Sequence, residues 1–198
     1  MSTTDEHYCR YYHALYQVAT TINSSLDPGA VLQAIVQNTA EGIGARGCSI
    51  MLLTPDRREL RHSANHGLSD LYLRKGPVSV DLSMSEALAG RSVAVMDAGS
   101  DPRVQYGPQN AEEGIASILS VPMRLREQII GVMRIYSGEP RDFTGEDIEF
   151  VEAAAHLGAI ALENARRHDE LQYNYDMITR YVYSDTWVGQ LWSTEKTA

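Results

Sequence analysis

The side chains able to do chemistry in this 198-residue sequence are six histidines, two cysteines, scattered serines and an acid-rich central stretch. His62 and His66 stand four apart, a spacing that on a helix would aim two imidazoles at one metal ion. The segment around them, ELRHSANHG, alternates like a strand instead, with Leu60, His62 and Ala64 on one side and no thiol or carboxylate ligand nearby. No metal site is expected, and His62 reads first as a partly buried histidine with its hydrogen bonds satisfied, facing the core, and second as a pocket residue. Ser117, Ser120 and His156 could join an aspartate as a hydrolase triad, but no G-x-S-x-G elbow or local nucleophile–base pairing is present. No catalytic residue is assigned. Cys9 and Cys48 are too few for a disulfide framework. Cys48 alternates with Ile50 and Leu52, as an inert buried thiol would.

Residues 97–114, DAGSDPRVQYGPQNAEEG, carry turn formers and charges without a period. They read as a long loop, which a compact domain seldom keeps without a use. Asp97, Asp101, Glu112 and Glu113 with Arg103 could grip a polar or cationic ligand, or could simply solvate the loop and cap its turns. The candidate binding residues are His62, Asp97, Arg103, Tyr106, Glu112, Ser117 and Tyr136.

The elements that must position them follow from periodicity. Apolar residues at 8, 12, 15, 19 and 22 predict a first helix. Asp27 as N-cap and Pro28 open a second, whose face is Leu32, Ile35, Val36, Thr39 and Ile43 and which ends at the glycines 42, 44 and 47. CSIMLLT and ELRHSANHG predict a hairpin through Pro55-Asp56-Arg57-Arg58, residues 78–82 a further strand, and Ser83 with Glu86 a capping box opening a short helix. Residues 92–96 read as a brief strand, and IASILSVPM and QIIGVMRIYS as a longer hairpin.

Thr144 with Asp147 caps a long final helix with two stripes. Ile148, Val151, Ala155, Gly158, Leu162 and Ala165 form a small-residue face suited to a sheet. Leu157, Ala161, Asn164, His168, Leu171, Tyr175, Ile178 and Val182 keep heptad spacing, and predict a seam between two copies of the chain. The end, YVYSDTWVGQLWSTEKTA, is aromatic-rich without a continuing period.

The 26 acidic against 17 basic side chains leave a formal charge of −9, which repels nucleic-acid phosphates and anionic lipid and argues against both partners. No apolar run approaches the roughly 20 residues that cross a bilayer. The start, MSTTDEHYCRYYH, lacks the basic and apolar regions of a signal peptide. A cytoplasmic location with reduced thiols is expected.

Four stretches, LDPGAVLQAIVQNTAEGIGARGCSIMLL, ALAGRSVAVMDAGSDPRVQ, EGIASILSVPMRLREQIIGVMRIYS and PRDFTGEDIEFVEAAAHLGAIALENA, resemble in order and spacing the GAF domain family. The resemblance covers residues 12–168, with 1–11 extending the first helix and 169–198 forming a helical and aromatic tail. It implies an α+β fold, an antiparallel sheet of about six strands flanked by helices, with the N- and C-terminal helices pairing as a dimer bundle. Members of that family bind small molecules or dimerise within kinases, phosphodiesterases, transcription regulators and photoreceptors, so the ligand must be argued from the site. Members that bind cyclic nucleotides carry an Asn-Lys pair where this chain has Arg134-Ile135-Tyr136; only Phe143 and Asp147 of the motif's second half remain. Bilin-binding members carry a Cys beside a His in the long loop, and 97–114 contain neither. Free methionine sulfoxide reductases of this fold group cysteines around the pocket, unlike Cys9 and Cys48. The expectation is thus a stand-alone, non-enzymatic sensory domain without cyclic nucleotide, haem, bilin or metal. It would form a homodimer and signal through its terminal helices to a partner such as a kinase or transcription regulator. The alternative is a dimerisation adaptor without ligand, and behind that a GAF-fold enzyme.

Overall fold

The computed structural model describes residues 3–25, 27–80 and 84–184, with side chains over 6–25, 27–80, 84–168 and 170–178. The elements run α1 (Thr3–Ser24), α2 (Pro28–Ile43), β1 (Gly47–Leu53), β2 (Glu59–His66), α3 (Asp70–Leu73), β3 (Val78–Ser79), α4 (Ser85–Leu88), β4 (Val93–Val95), α5 (Gly107–Glu113), β5 (Ser117–Leu125), β6 (Gln128–Ser137) and α6 (Gly145–Ser184). The chain divides into two compact units, Met1–Leu162 and Glu163–Ala198.

In the first unit six strands form one sheet in the order β3-β2-β1-β6-β5-β4, every neighbouring pair antiparallel. Alternation splits its side chains between two layers. Cys48, Ile50, Leu119, Val121, Met133 and Ile135 meet α1, α2 and α6 in the main core. Met51, Leu60, Val132, Ile118 and Tyr136 face the other way, beneath Tyr72 of α3 and Ala87 of α4. Thr144 and Asp147 exchange the capping bonds expected at the start of α6, Asp147 Oδ2 accepting from Thr144 N at 3.0 Å and Thr144 Oγ1 from Asp147 N at 3.2 Å. Asp147 also accepts from Tyr11 Oη and, at 2.9 Å, from Arg141, so one buried carboxylate ties α1 to the start of α6. Asp27 caps α2 as expected, accepting from Gly29 N.

The structure corrects four expectations. The buried face of α1 is Tyr11, Ala14 and Val18, with Leu15 and Ile22 packed beside them, while Tyr8 and Tyr12 are 54% and 74% exposed. Both stripes fit helical spacing, and the second unit of contact, Tyr11 stacked on Phe150 with ring centroids 4.3 Å apart, decides between them. Gly42 lies inside α2, where a Cβ would stand 2.7 Å from Ala14 Cβ; its bare surface lets α1 approach, and left-handed Gly44 ends the helix. The stretch 97–114 contains α5, with Pro108 in its first turn and left-handed Gly114 closing it. Ala64 does not share a face with Leu60 and His62: a register shift pairs Met51 with His62 but Ile50 with Ala64. That bulge leaves Ser63 over and turns Ala64 into the main core.

The short helix α4 has Met84 as N-cap, without a side-chain bond; Ser83 lies outside the described residues. Among seam candidates, Leu157 packs on the main core and Ala161 is buried. In the second unit Asn164 is exposed and His168 half-buried, and Leu171, Tyr175 and Ile178 are 69%, 71% and 63% exposed. Val182 lies outside the described side chains. Ion pairs of Arg167 with Glu163 and Arg166 with Glu170 line this helix at i,i+4 spacing, contributing a few tenths of a kcal/mol each.

Candidate functional site

The second face of the sheet carries polar groups that a self-sufficient core has no use for. β2 supplies His62, β6 supplies Arg134 and Tyr136, β5 supplies Ser120, and the turn after α3 supplies Lys75. His62 reaches this face by alternation with Leu60 and stands opposite Met51, just before the bulge. Both its ring nitrogens are buried without a hydrogen-bond partner. Burial first, then the charges of Lys75 and Arg134, push its imidazole down to about 4; it is neutral at physiological pH.

Lys75 follows α3, which opens on Ser69 as N-cap. Its Nζ lies 3.4 Å from the centroid of the Tyr72 ring and 5.6 Å from that of Tyr106, and donates to Tyr72 O at 3.2 Å. Burial and Arg134 lower the ammonium to about 8 against the opposing charge of Glu113. Arg134 is 5% exposed and donates through Nε to Ser120 Oγ at 3.1 Å. Around these cations, Tyr136 Oη and Ser49 Oγ share a bond of 2.9 Å, and Tyr72 Oη donates to Asn110 Oδ1 at 2.7 Å. Burial raises the phenols of Tyr72 and Tyr136, so both stay neutral.

Two cavities border the cluster. An enclosed one of about 60 Å³ lies between α4 and the sheet, against Ser85, Glu86, Arg103, Ile118, Ser120 and Arg134. An open one of about 320 Å³ is lined by Arg61, His62, Leu73, Gly76 and Pro77.

The seven residues picked from sequence separate accordingly. His62 and Tyr136 lie on this face, and Arg103 lines the enclosed cavity while pairing with Asp101 at 2.6 Å. Tyr106 roofs Lys75 and donates to Pro77 O at 2.9 Å. Asp97 is exposed and caps its own turn through Gly99 N, Ser100 N and Ser100 Oγ; those bonds, that of the Ser100 hydroxyl first, hold its carboxyl below the usual range. Glu112 is exposed on α5. Ser117 belongs to the opposite parity of β5, donating to Met96 O at 2.8 Å and accepting from Arg141 N at 2.9 Å. Glu113 is occupied by Ser69, accepting from its N at 2.8 Å and its Oγ at 2.5 Å. The acidic stretch therefore holds loops together, and the inward-facing charge is positive. Lys75, Arg134, Ser120, Tyr72 and Asn110 are not among the seven; only Ser69 as an N-cap signal before Asp70 announces α3 and the turn that delivers Lys75.

Among the described residues no three His, Cys, Asp or Glu side chains are grouped to hold a metal ion, and no helix is long and apolar enough to cross a membrane. Cys48 is buried on the main-core side, its thiol raised by burial, and Cys9 is exposed on α1.

The fold is shared with solved structures. A GAF domain from a phosphoenolpyruvate-protein phosphotransferase of Coxiella burnetii superposes with a TM-score of 0.72 at 20% identity, over 82% of this chain and 98% of that one. A free methionine-R-sulfoxide reductase from Neisseria meningitidis, in complex with its substrate, does so with a TM-score of 0.67 at 19% identity, over 80% and 91%. In sequence, a methyl sulfide methyltransferase-associated sensor of Methanosarcina acetivorans is 26% identical over 163 residues, 79% of this chain. The match spans only 16% of that sensor's length. The GAF domain model matches residues 25–163, and the chain belongs to the GAF domain family.

Proposed function

We propose that this chain is a sensory domain that holds a small molecule between the second face of its sheet and the cover formed by α3, α4 and α5, and that occupancy is passed through α1 and α6 to a partner protein such as a kinase or transcription regulator. The carrying observation is the cluster of His62, Lys75 and Arg134 on that face. A desolvated ammonium and an imidazole without partners oppose folding, and perturbed titratable groups beside a cavity mark binding sites more often than chance. Membership of a regulatory domain family and likeness to a named sensor support the sensory part.

The state of the reactive groups supports binding over catalysis. Ser117 and Ser120 are tied up in hydrogen bonds, His156 is exposed on α6, and neither cysteine lies on the second face. Output through a homodimer would use the exposed tyrosines 8, 12 and 16 of α1 and the apolar residues 171, 175 and 178 of α6.

One observation favours a second reading. The enclosed cavity of about 60 Å³ is far below the several hundred Å³ of ordinary ligand pockets, as expected of an adaptor whose interior is filled by its own side chains. Native mass spectrometry of the purified chain separates the two. A small molecule that stays bound under gentle conditions and leaves on denaturation supports the sensor; a mass equal to the polypeptide alone, whatever the cell extract added, supports the adaptor.

A further inference from the structure

We infer that His62, Lys75 and Arg134 together attract the oxyanion, a carboxylate or phosphate group, of the sensed molecule, which enters by the open cavity beside His62. This rests on the sensory reading above. Three nitrogen-bearing side chains arrive there from separate parts of the fold: β2, the turn after α3, and β6. Both nitrogens of His62 are buried without a partner, a rare state that leaves a donor and an acceptor waiting. Lys75 rests on the Tyr72 ring and one carbonyl oxygen, a hold that uses one of its three N–H groups.

The charge balance selects the ligand's sign. Lys75 and Arg134 both act on His62 as positive neighbours, and Arg134 acts so on Lys75. The carboxylate that opposes them at Lys75 is Glu113, whose two oxygens already accept from Ser69. A cationic ligand would enter against two like charges in a poorly solvated site, where their repulsion is screened less than in water. An oxyanion gains the same attraction, and can accept from the ammonium and from the imidazole N–H together. The rings of Tyr72 and Tyr106 and the open cavity beside His62 leave room for the rest of the molecule.

The test is a titration of the full chain with inorganic phosphate and, separately, with succinate. Ionic strength is held with sodium chloride, and the His62 ring is followed by nuclear magnetic resonance with the other five histidines as internal references. Tetramethylammonium chloride is the cationic control. Saturable movement of the His62 signals with at least one oxyanion, and none with the cation, is expected; the better of the two arms tells a phosphate from a carboxylate ligand. Lys75→Met should weaken the response at least tenfold and Lys75→Arg should retain it, while Arg166→Met, which removes an exposed charge of the second unit, should leave it unchanged. Absence of saturation with both anions, equal saturation with tetramethylammonium, or full binding by Lys75→Met overturns the inference. If a captured molecule carries no acidic group, the oxyanion inference falls and the sensory reading stands; if nothing is captured and neither anion binds, both fall.

Discussion

The ammonium of Lys75 lies 3.4 Å from the centroid of the Tyr72 ring, three residues earlier in the chain. The contact is set locally, by the turn that ends α3, and it carries a charge onto a face otherwise given to Met51, Leu60 and Val132. A cation–π contact of this kind returns about 1 kcal/mol, less than the cost implied by an ammonium drawn from 10.5 down to about 8. Lys75→Met should therefore leave the ligand-free protein at least as stable as the parent, with a melting temperature up to about 3 °C higher for a stabilisation of about 1 kcal/mol. Calorimetry checks this; a lower melting temperature would make Lys75 a structural residue.

His62 sets an acid limb on stability. Its folded value of about 4 lies below the ordinary 6.5, so between those pH values the unfolded chain binds a proton that the native chain refuses. Stability must then fall as pH drops from 6.5 towards 4, by about 3 kcal/mol in full if each pH unit of separation counts for about 1.4 kcal/mol. Burial sets most of this limb, and the charged groups facing His62 that add to it are Lys75 and Arg134, with Glu113 opposing at Lys75. Urea unfolding of the parent and of His62→Gln across this range should show the limb flattened in the variant. Equal slopes would assign the acid sensitivity to another group.

Asp147 is the joint between α1 and α6. It is 4% exposed and accepts from Tyr11, Arg141 and Thr144. Asp147→Ala leaves half-buried Arg141 with Ile43 O alone, removes the cap of α6, and should destabilise the domain by about 2 kcal/mol. Tyr11→Phe, which keeps the stacking on Phe150, should cost about 1 kcal/mol. Denaturant midpoints measure both, and a loss from Tyr11→Phe equal to that from Asp147→Ala would contradict the division.

Much of the frame was legible because it obeys local rules. Asp27-Pro28 starts α2, Thr144 and Asp147 start α6, and the two apolar hairpins pair as their alternation requires. What escaped depends on contacts between distant residues. Two stripes of α1 satisfy the same spacing, and only Phe150 and Ala14 against Gly42 decide which is buried. The bulge opposite Ile50 and Met51 changes which face Ala64 takes, and no residue type in ELRHSANHG announces it. Half of the candidate site was legible in the same sense: His62 and Tyr136 sit where alternation puts them. Lys75 lies in a stretch without period, and a formal charge of −9 conceals a positive cluster on the second face of the sheet. For the acids of 97–114 the sequence leaves ligand grip and loop capping equally open, because it cannot show that Ser100, Arg103 and Ser69 already occupy Asp97, Asp101 and Glu113.

The first unit closes at Leu162, so removing residues 169–198 should leave it folded. Loss of Leu171, Tyr175 and Ile178, all largely exposed, should weaken self-association. Light scattering at tens of micromolar, the range in which stable interfaces hold, should show the parent as a dimer and the shortened chain with a smaller mass. A monomeric parent would remove the dimer from the proposal.

Amide hydrogen exchange on the chain carrying its captured molecule, compared with the same chain emptied of it, tests the central claim most directly. The account predicts added protection at 72–76, 85–88 and 103–106 and along β5 and β6 near Ser120 and Arg134, with a secondary change in α1 or α6. Protection confined to the helical surface of 163–178, or no difference between the two forms, would contradict a ligand site on the covered face of the sheet.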